Sequence, residues 1–85
     1  MSKKAEPMWH QASEKPTGKN DSLVVLVACE GQHYIYFDCI YDEDNGFELW
    51  EDLGFGDCWW SPIKEVIVGW MRQEDLEEYL ISLHI

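Results

Sequence analysis

Eighty-five residues carry seventeen acidic and six basic side chains, a formal charge of −11. That charge excludes a nucleic-acid binder working through a general basic surface, and no apolar run approaches the ~18 residues of a membrane span. At 46% hydrophobic and 14% aromatic the chain is not a disordered segment, and its length allows one domain with a small core.

The charge is uneven. Residues 1–20 hold Lys3, Lys4, Lys15 and Lys19 against Glu6 and Glu14, a balance of +2. Residues 21–85 hold fifteen acids against Lys64 and Arg72, a balance of −13. Such a body repels nucleic acid and anionic lipid and attracts basic proteins at long range.

Residues 1–7, closed by Pro7, read as a flexible tail, and residues 8–85 as a single domain. No apolar stretch follows the N-terminal lysines, so no signal peptide is expected and the compartment expected is cytoplasmic. The odd cysteine count, Cys29, Cys39 and Cys58, fits reduced thiols there, with Cys29 and Cys39 in the core and Cys58 accessible.

Leu23 to Cys29 is a valine-rich run that predicts a strand buried on both faces. His33 to Tyr41 predicts a second strand, with His33, Ile35, Phe37, Cys39 and Tyr41 on one face. Asn45-Gly46 marks a hairpin turn. A two-residue loop there places Glu43 opposite Glu48, an unfavourable pair, so a longer loop is the competing register.

Phe47 to Glu51 predicts the third strand, residues 52–62 a loop, and Glu65 to Met71 the fourth strand. Trp50 and Trp70, within strands, are expected in the core. Of the consecutive Trp59 and Trp60, one can be buried and the other not. The final segment predicts a helix opened by Asp75 with Glu78 three residues on, its dipole complemented by His84. Its stripe Leu76, Tyr79, Leu80 and Leu83 is expected to dock on the sheet. The fold class expected is therefore α+β: an antiparallel sheet of about four strands with a C-terminal helix on one face.

No metal, cofactor or catalytic site is indicated. Asp42-Glu43-Asp44-Asn45-Gly46 fails the calcium-loop register, because the glycine falls one place early and Leu53 stands where a glutamate is required. The cysteines have no zinc spacing, and His10, His33 and His84 are scattered. The chain is small for both a core and a deep pocket, which points away from an enzyme. A candidate partner-binding set combines the acids Asp42, Glu43, Asp44, Glu48, Glu51 and Asp52, expected as one patch, with Phe55 and Trp59 as an aromatic anchor. The partner it implies is a basic protein surface, in the sharpest version one whose nucleic-acid groove is occupied by carboxylates standing in for phosphates. The alternative is a small-ligand module, such as a carbohydrate binder, using the tryptophan-rich loop.

The opening Trp9-His10-Gln11-Ala12-Ser13-Glu14-Lys15-Pro16, the Tyr41-Asp42 turn and the closing Val66-Ile67-Val68-Gly69-Trp70-Met71 before Asp75-Leu76 together resemble a known group. It comprises short bacterial and phage domains of unknown function with an N-terminal W-H-x-A-S-E-x-P motif and a C-terminal I-x-x-W strand. Met71-Arg72 here replaces the more usual Ala-Tyr. The resemblance implies an accessory role rather than a metabolic one, and a structural task for Pro16 and the tryptophans of the motifs; inhibition of a host protein belongs to the acidic-surface reading.

Overall fold

The computed structural model describes residues 9–18, 20–52 and 54–83. In chain order the elements are β1 (His10–Gln11), β2 (Leu23–Cys29), β3 (Gln32–Asp42), β4 (Gly46–Asp52), β5 (Cys58–Pro62), β6 (Val66–Arg72) and α1 (Gln73–Ser82). The strands form one antiparallel sheet in the order β1-β6-β2-β3-β4-β5, followed by the C-terminal helix, an α+β arrangement. The sheet thus has six strands where about four were expected: the brief β1 and the edge strand β5 fall in stretches that read as loop. The expected tail and His84 lie outside the described residues.

β2 runs through the middle, and its valines explain why. Val24 and Val25 are both fully buried, so the strand has packing on each side. The main core joins Leu23, Val25, Val27, Cys39, Phe47 and Trp70, with Tyr36, Tyr41, Leu49, Ile63 and Ile67 packed against it. Phe47 of β4 and Trp70 of β6 lie 6.1 Å apart by ring centroid, although β2 and β3 run between their strands. Strands about 4.8 Å apart would hold those side chains about 14 Å apart in a flat sheet. The sheet therefore curls around its core.

Two irregularities supply the curl. Leu23 pairs with Cys39 but Val25 with Tyr36, which inserts one extra residue into β3 at Phe37-Asp38, where Asp38 takes a positive φ of 55°. Leu26 pairs with Gly69 but Val27 with Ile67, which makes Val68 the extra residue of β6. The β3 bulge breaks the simple alternation read from the sequence. Cys39 and Tyr41 keep the core side, whereas His33, Ile35 and Phe37 are exposed and Tyr36 packs inward instead.

The β3–β4 connection is the longer of the two registers considered. Asp42 pairs with Gly46 and Tyr41 with Phe47, so Glu43, Asp44 and Asn45 form the loop, and Glu48 faces Ile40 rather than Glu43. The Asp42 carboxylate accepts hydrogen bonds from the Asp44 and Asn45 N–H groups at 3.1 and 2.9 Å, which fixes the turn.

The helix departs from expectation. It starts at Gln73 directly after β6, with Arg72 at the N-cap and no side-chain cap bond, two residues before the expected Asp75. Without a reversing loop it cannot fold back along the sheet. Leu76 and Tyr79 are half-buried, but Leu80 and Leu83 are 47% and 50% exposed, so the stripe is only partly covered. Among the described residues no helix is long and apolar enough to cross a membrane.

The two sequence motifs meet in space. β1 pairs with β6, His10 opposite Trp70 and Gln11 opposite Gly69. The Trp70 indole N–H donates to the Glu14 carbonyl at 2.7 Å, and His10 stacks on the ring at 4.2 Å. Glu14 in turn holds His10 Nδ1 at 2.7 Å, Arg72 donates to the Thr17 carbonyl at 2.8 Å, and Pro16 is buried. A side chain on Gly69 would place its Cβ 2.7 Å from the His10 carbonyl oxygen, so the backbones approach this closely only because residue 69 is glycine.

Candidate functional site

β4 and β5 form the far side of the sheet from β1, and there, Phe47 of the core aside, the aromatic side chains stay in solvent. The register sets Trp50 opposite Trp60 and Glu51 opposite Trp59. Paired residues of an antiparallel ladder share a face, so one face carries Trp50 and Trp60 and the other Glu51 and Trp59. Trp50 and Trp60 meet edge to face, centroids 5.2 Å apart, yet they remain 49% and 39% exposed. Trp59 is 44% exposed on the opposite side. The sequence reading therefore fails for Trp50, which lies in a strand but over no second layer, and neither of the consecutive tryptophans is buried.

At the end of this arm Asp52 pairs with Cys58, and the Asp52 carboxylate accepts the Gly54 N–H at 2.8 Å. Gly54 and Gly56, both at positive φ, turn the chain around Phe55, which is 91% exposed. Asp57 is exposed beside it.

The expected acidic patch divides. Glu51, Asp52, Phe55 and Trp59 come together at the β4–β5 end. Asp42, Glu43 and Asp44 sit at the other end of β4, about 20 Å away for a strand of this length. Glu48 belongs to neither group, being 7% exposed in a row with Ile40 and Pro62, and so presents no surface carboxylate. The sequence reading missed Trp50, which it put in the core; it had Asp57 bordering the aromatic loop and left open which of Trp59 and Trp60 is exposed. The signal available for β5 was Cys58-Trp59-Trp60-Ser61-Pro62 itself: two β-favouring aromatics ending in a proline, as an edge strand does.

The described residues line two shallow hollows. One hollow of about 160 Å³ is lined by Tyr36, Leu49, Glu51, Pro62, Lys64 and Glu65. There the Tyr36 hydroxyl donates to Glu65 at 2.9 Å, and that bond, with burial and the Glu65 charge, raises the tyrosine pKa. A second, of similar size, lies between Asp21, Ser22, Arg72, Gln73, Glu74 and Glu77. Both are below the roughly 300 Å³ at which small-molecule pockets begin. Among the described residues no three His, Cys, Asp or Glu side chains are grouped to hold a metal ion. Cys29 and Cys58 are exposed, the former against expectation because it closes β2 beyond the core. Cys39 is buried, and burial, with a smaller contribution from Asp38, pushes its thiol up to about 12.

Compared with protein-family models, curated proteins and solved structures, the chain matches none.

Proposed function

We propose that the protein is a non-enzymatic protein-binding module whose β4–β5 arm docks on a basic protein surface. The observation that carries this reading is the Trp50–Trp60 pair, held edge to face and yet left 49% and 39% exposed. Large aromatic groups fixed in solvent supply contact area at little entropic cost, which is the composition of interface hot spots. Asp52 shares their face, Glu51 and Trp59 lie on the opposite face, and with Asp57 at the loop these acids set the sign of the partner. The resemblance to bacterial and phage domains fits an accessory role. Isolated indoles between separated acids suit a desolvated aromatic contact better than an even array of phosphate mimics.

The test compares the parent with Trp60→Ala and with a Glu51→Gln/Asp52→Asn variant, using immobilised protein and cell lysate, then kinetics on each retained protein at two salt concentrations. The tryptophan variant should raise the dissociation rate about thirtyfold, the size of a hot-spot loss. The amide variant should slow association and flatten its salt dependence. Retention that is indifferent to both variants overturns the reading.

A further inference from the structure

We infer that β5 is a docking edge for an extended basic peptide, which adds to the sheet as a seventh strand. The inference rests on the protein-binding reading and specifies the geometry of the partner. β5 is terminal in the strand order, with no strand beyond it among the described residues. Its backbone polarity follows from one bond. The Ile63 N–H donates to the Phe47 carbonyl at 2.9 Å, continuing the β4–β5 register by one residue. Hydrogen-bonded and non-bonded pairs alternate along an antiparallel ladder. Ser61 and Trp59 therefore also turn their N–H and C=O groups to β4, while Cys58 and Trp60 turn theirs outward. Pro62 falls in the outward set, where its missing N–H costs the sheet nothing and stops an added strand from extending past it. The open template is thus short and bounded, with Trp59 standing on one side of it and Trp60 on the other.

Charge selects the occupant. The acids at this end of the arm are Glu51, Asp52 and Asp57, and the one cation near it in sequence, Lys64, lies past Pro62 beside Glu51 and Glu65. A second copy would bring the same charge to the edge, so β5 pairing with β5 is opposed. An extended peptide with Lys or Arg at alternate positions directs its cations to one face of the edge, either that of Trp60 and Asp52 or that of Trp59 and Glu51. Main-chain bonds to Cys58 and Trp60 then give affinity, and the alternate cations give selectivity.

The probe is a peptide of about ten residues alternating lysine with threonine, compared with a glutamate–threonine peptide and with the lysine peptide N-methylated along its pairing edge. Amide hydrogen exchange is followed at Cys58 and Trp60. The lysine peptide should slow exchange at both amides, and N-methylation should weaken binding about tenfold, as loss of one or two hydrogen bonds does. Cys58→Pro should match that loss, whereas Cys58→Ala, which keeps the outward N–H, should bind as the parent does. Equal binding of the N-methylated peptide, or unchanged exchange at Cys58 and Trp60, overturns the docking edge while leaving an aromatic–acidic surface intact, whereas equal binding of the glutamate peptide overturns the charge selection as well. Slow exchange at those amides that depends on protein concentration without peptide assigns the edge to a second copy and overturns it too. If the lysine peptide does not bind but a Trp60-dependent protein partner exists, the edge alone fails. If neither binds, the protein-binding reading fails with it.

Discussion

Trp70 and Trp60 belong to strands of the same sheet and each meets an aromatic neighbour, yet their environments are opposite. Trp70 is 2% exposed, stacked by His10, bonded through its indole N–H to Glu14 and approached by Arg72, whose guanidinium carbon lies 5.8 Å from the ring centroid. Trp60 is 39% exposed and rests against Trp50 alone among the aromatic rings. The difference is what lies across each residue. At one end a returning segment of chain covers the sheet, and at the other nothing in the described structure does. A small protein with few residues for a core has placed its aromatic packing at Phe47 and Trp70 and left Trp50, Trp59 and Trp60 of the β4–β5 arm open.

The comparison can be broken at its strongest point by Trp70→Ala. Removing a buried tryptophan costs about 3–5 kcal/mol. A chain this long has a total of only about 4–13 kcal/mol. Denaturant titration should show a large fall in midpoint or no cooperative transition, and a parent-like midpoint would place the core elsewhere.

Alkali should act on the packed region next. Below pH 9.0, the ordinary value for cysteine, the Cys39 thiol is protonated in both folded and unfolded chains and contributes no slope. Above it the unfolded chain loses the proton while the fold retains it, so stability falls as pH rises toward about 12, where the folded thiol also ionises. Tyr36, raised from 10.0, adds to the fall at higher pH. Denaturant midpoints measured between about pH 8 and pH 11 should drop, and Cys39→Val should reduce the slope.

Gly69→Ala tests the close approach of β1 and β6. Its Cβ must displace the His10 carbonyl, which is backbone, at about 1–3 kcal/mol, typical of overpacking. The specific readout is faster exchange of the β1 amides together with the Trp70 indole proton. The smallest effect should come from Trp60→Ala at the open end, about 0.5–1.5 kcal/mol for the lost edge-to-face contact. A loss as large as that of Trp70→Ala would show Trp60 to be core and end its use as an anchor.

Much of the sheet was legible, because β2, β3, β4 and β6 announce themselves by β-branched and aromatic runs between turn residues. Cys39 in the core followed from the same pattern, while Cys58 was expected accessible as a loop residue and is exposed at the start of the edge strand β5 instead. What escaped depends on distant chain. β1 has two residues and exists only because Trp70 and Gly69 come to it. The bulges at Phe37-Asp38 and Val68 leave no local mark, so the alternation read across Ile35 and Phe37 chose the wrong face. Helical spacing showed that Leu76, Tyr79, Leu80 and Leu83 share a side, but not that α1 would leave β6 without a loop and keep Leu80 in solvent. The acids Asp42 to Asp44 and Glu51-Asp52 are neighbours in sequence, and a straight β4 between them carries them apart.

The clasp of residues 9–17 around Trp70 also dictates when the protein can finish folding. The indole N–H and its Glu14 acceptor are 56 residues apart in sequence, and β2 lacks its second neighbour until β6 exists. During synthesis the β2–β3 hairpin can pair early, but it carries a valine-rich open edge while the chain from Asp42 to Glu65 is still being added. Nascent chains of this protein therefore carry an unprotected strand from about Asp42 until β6 is made, and closure of the N-terminal segment waits for that last strand.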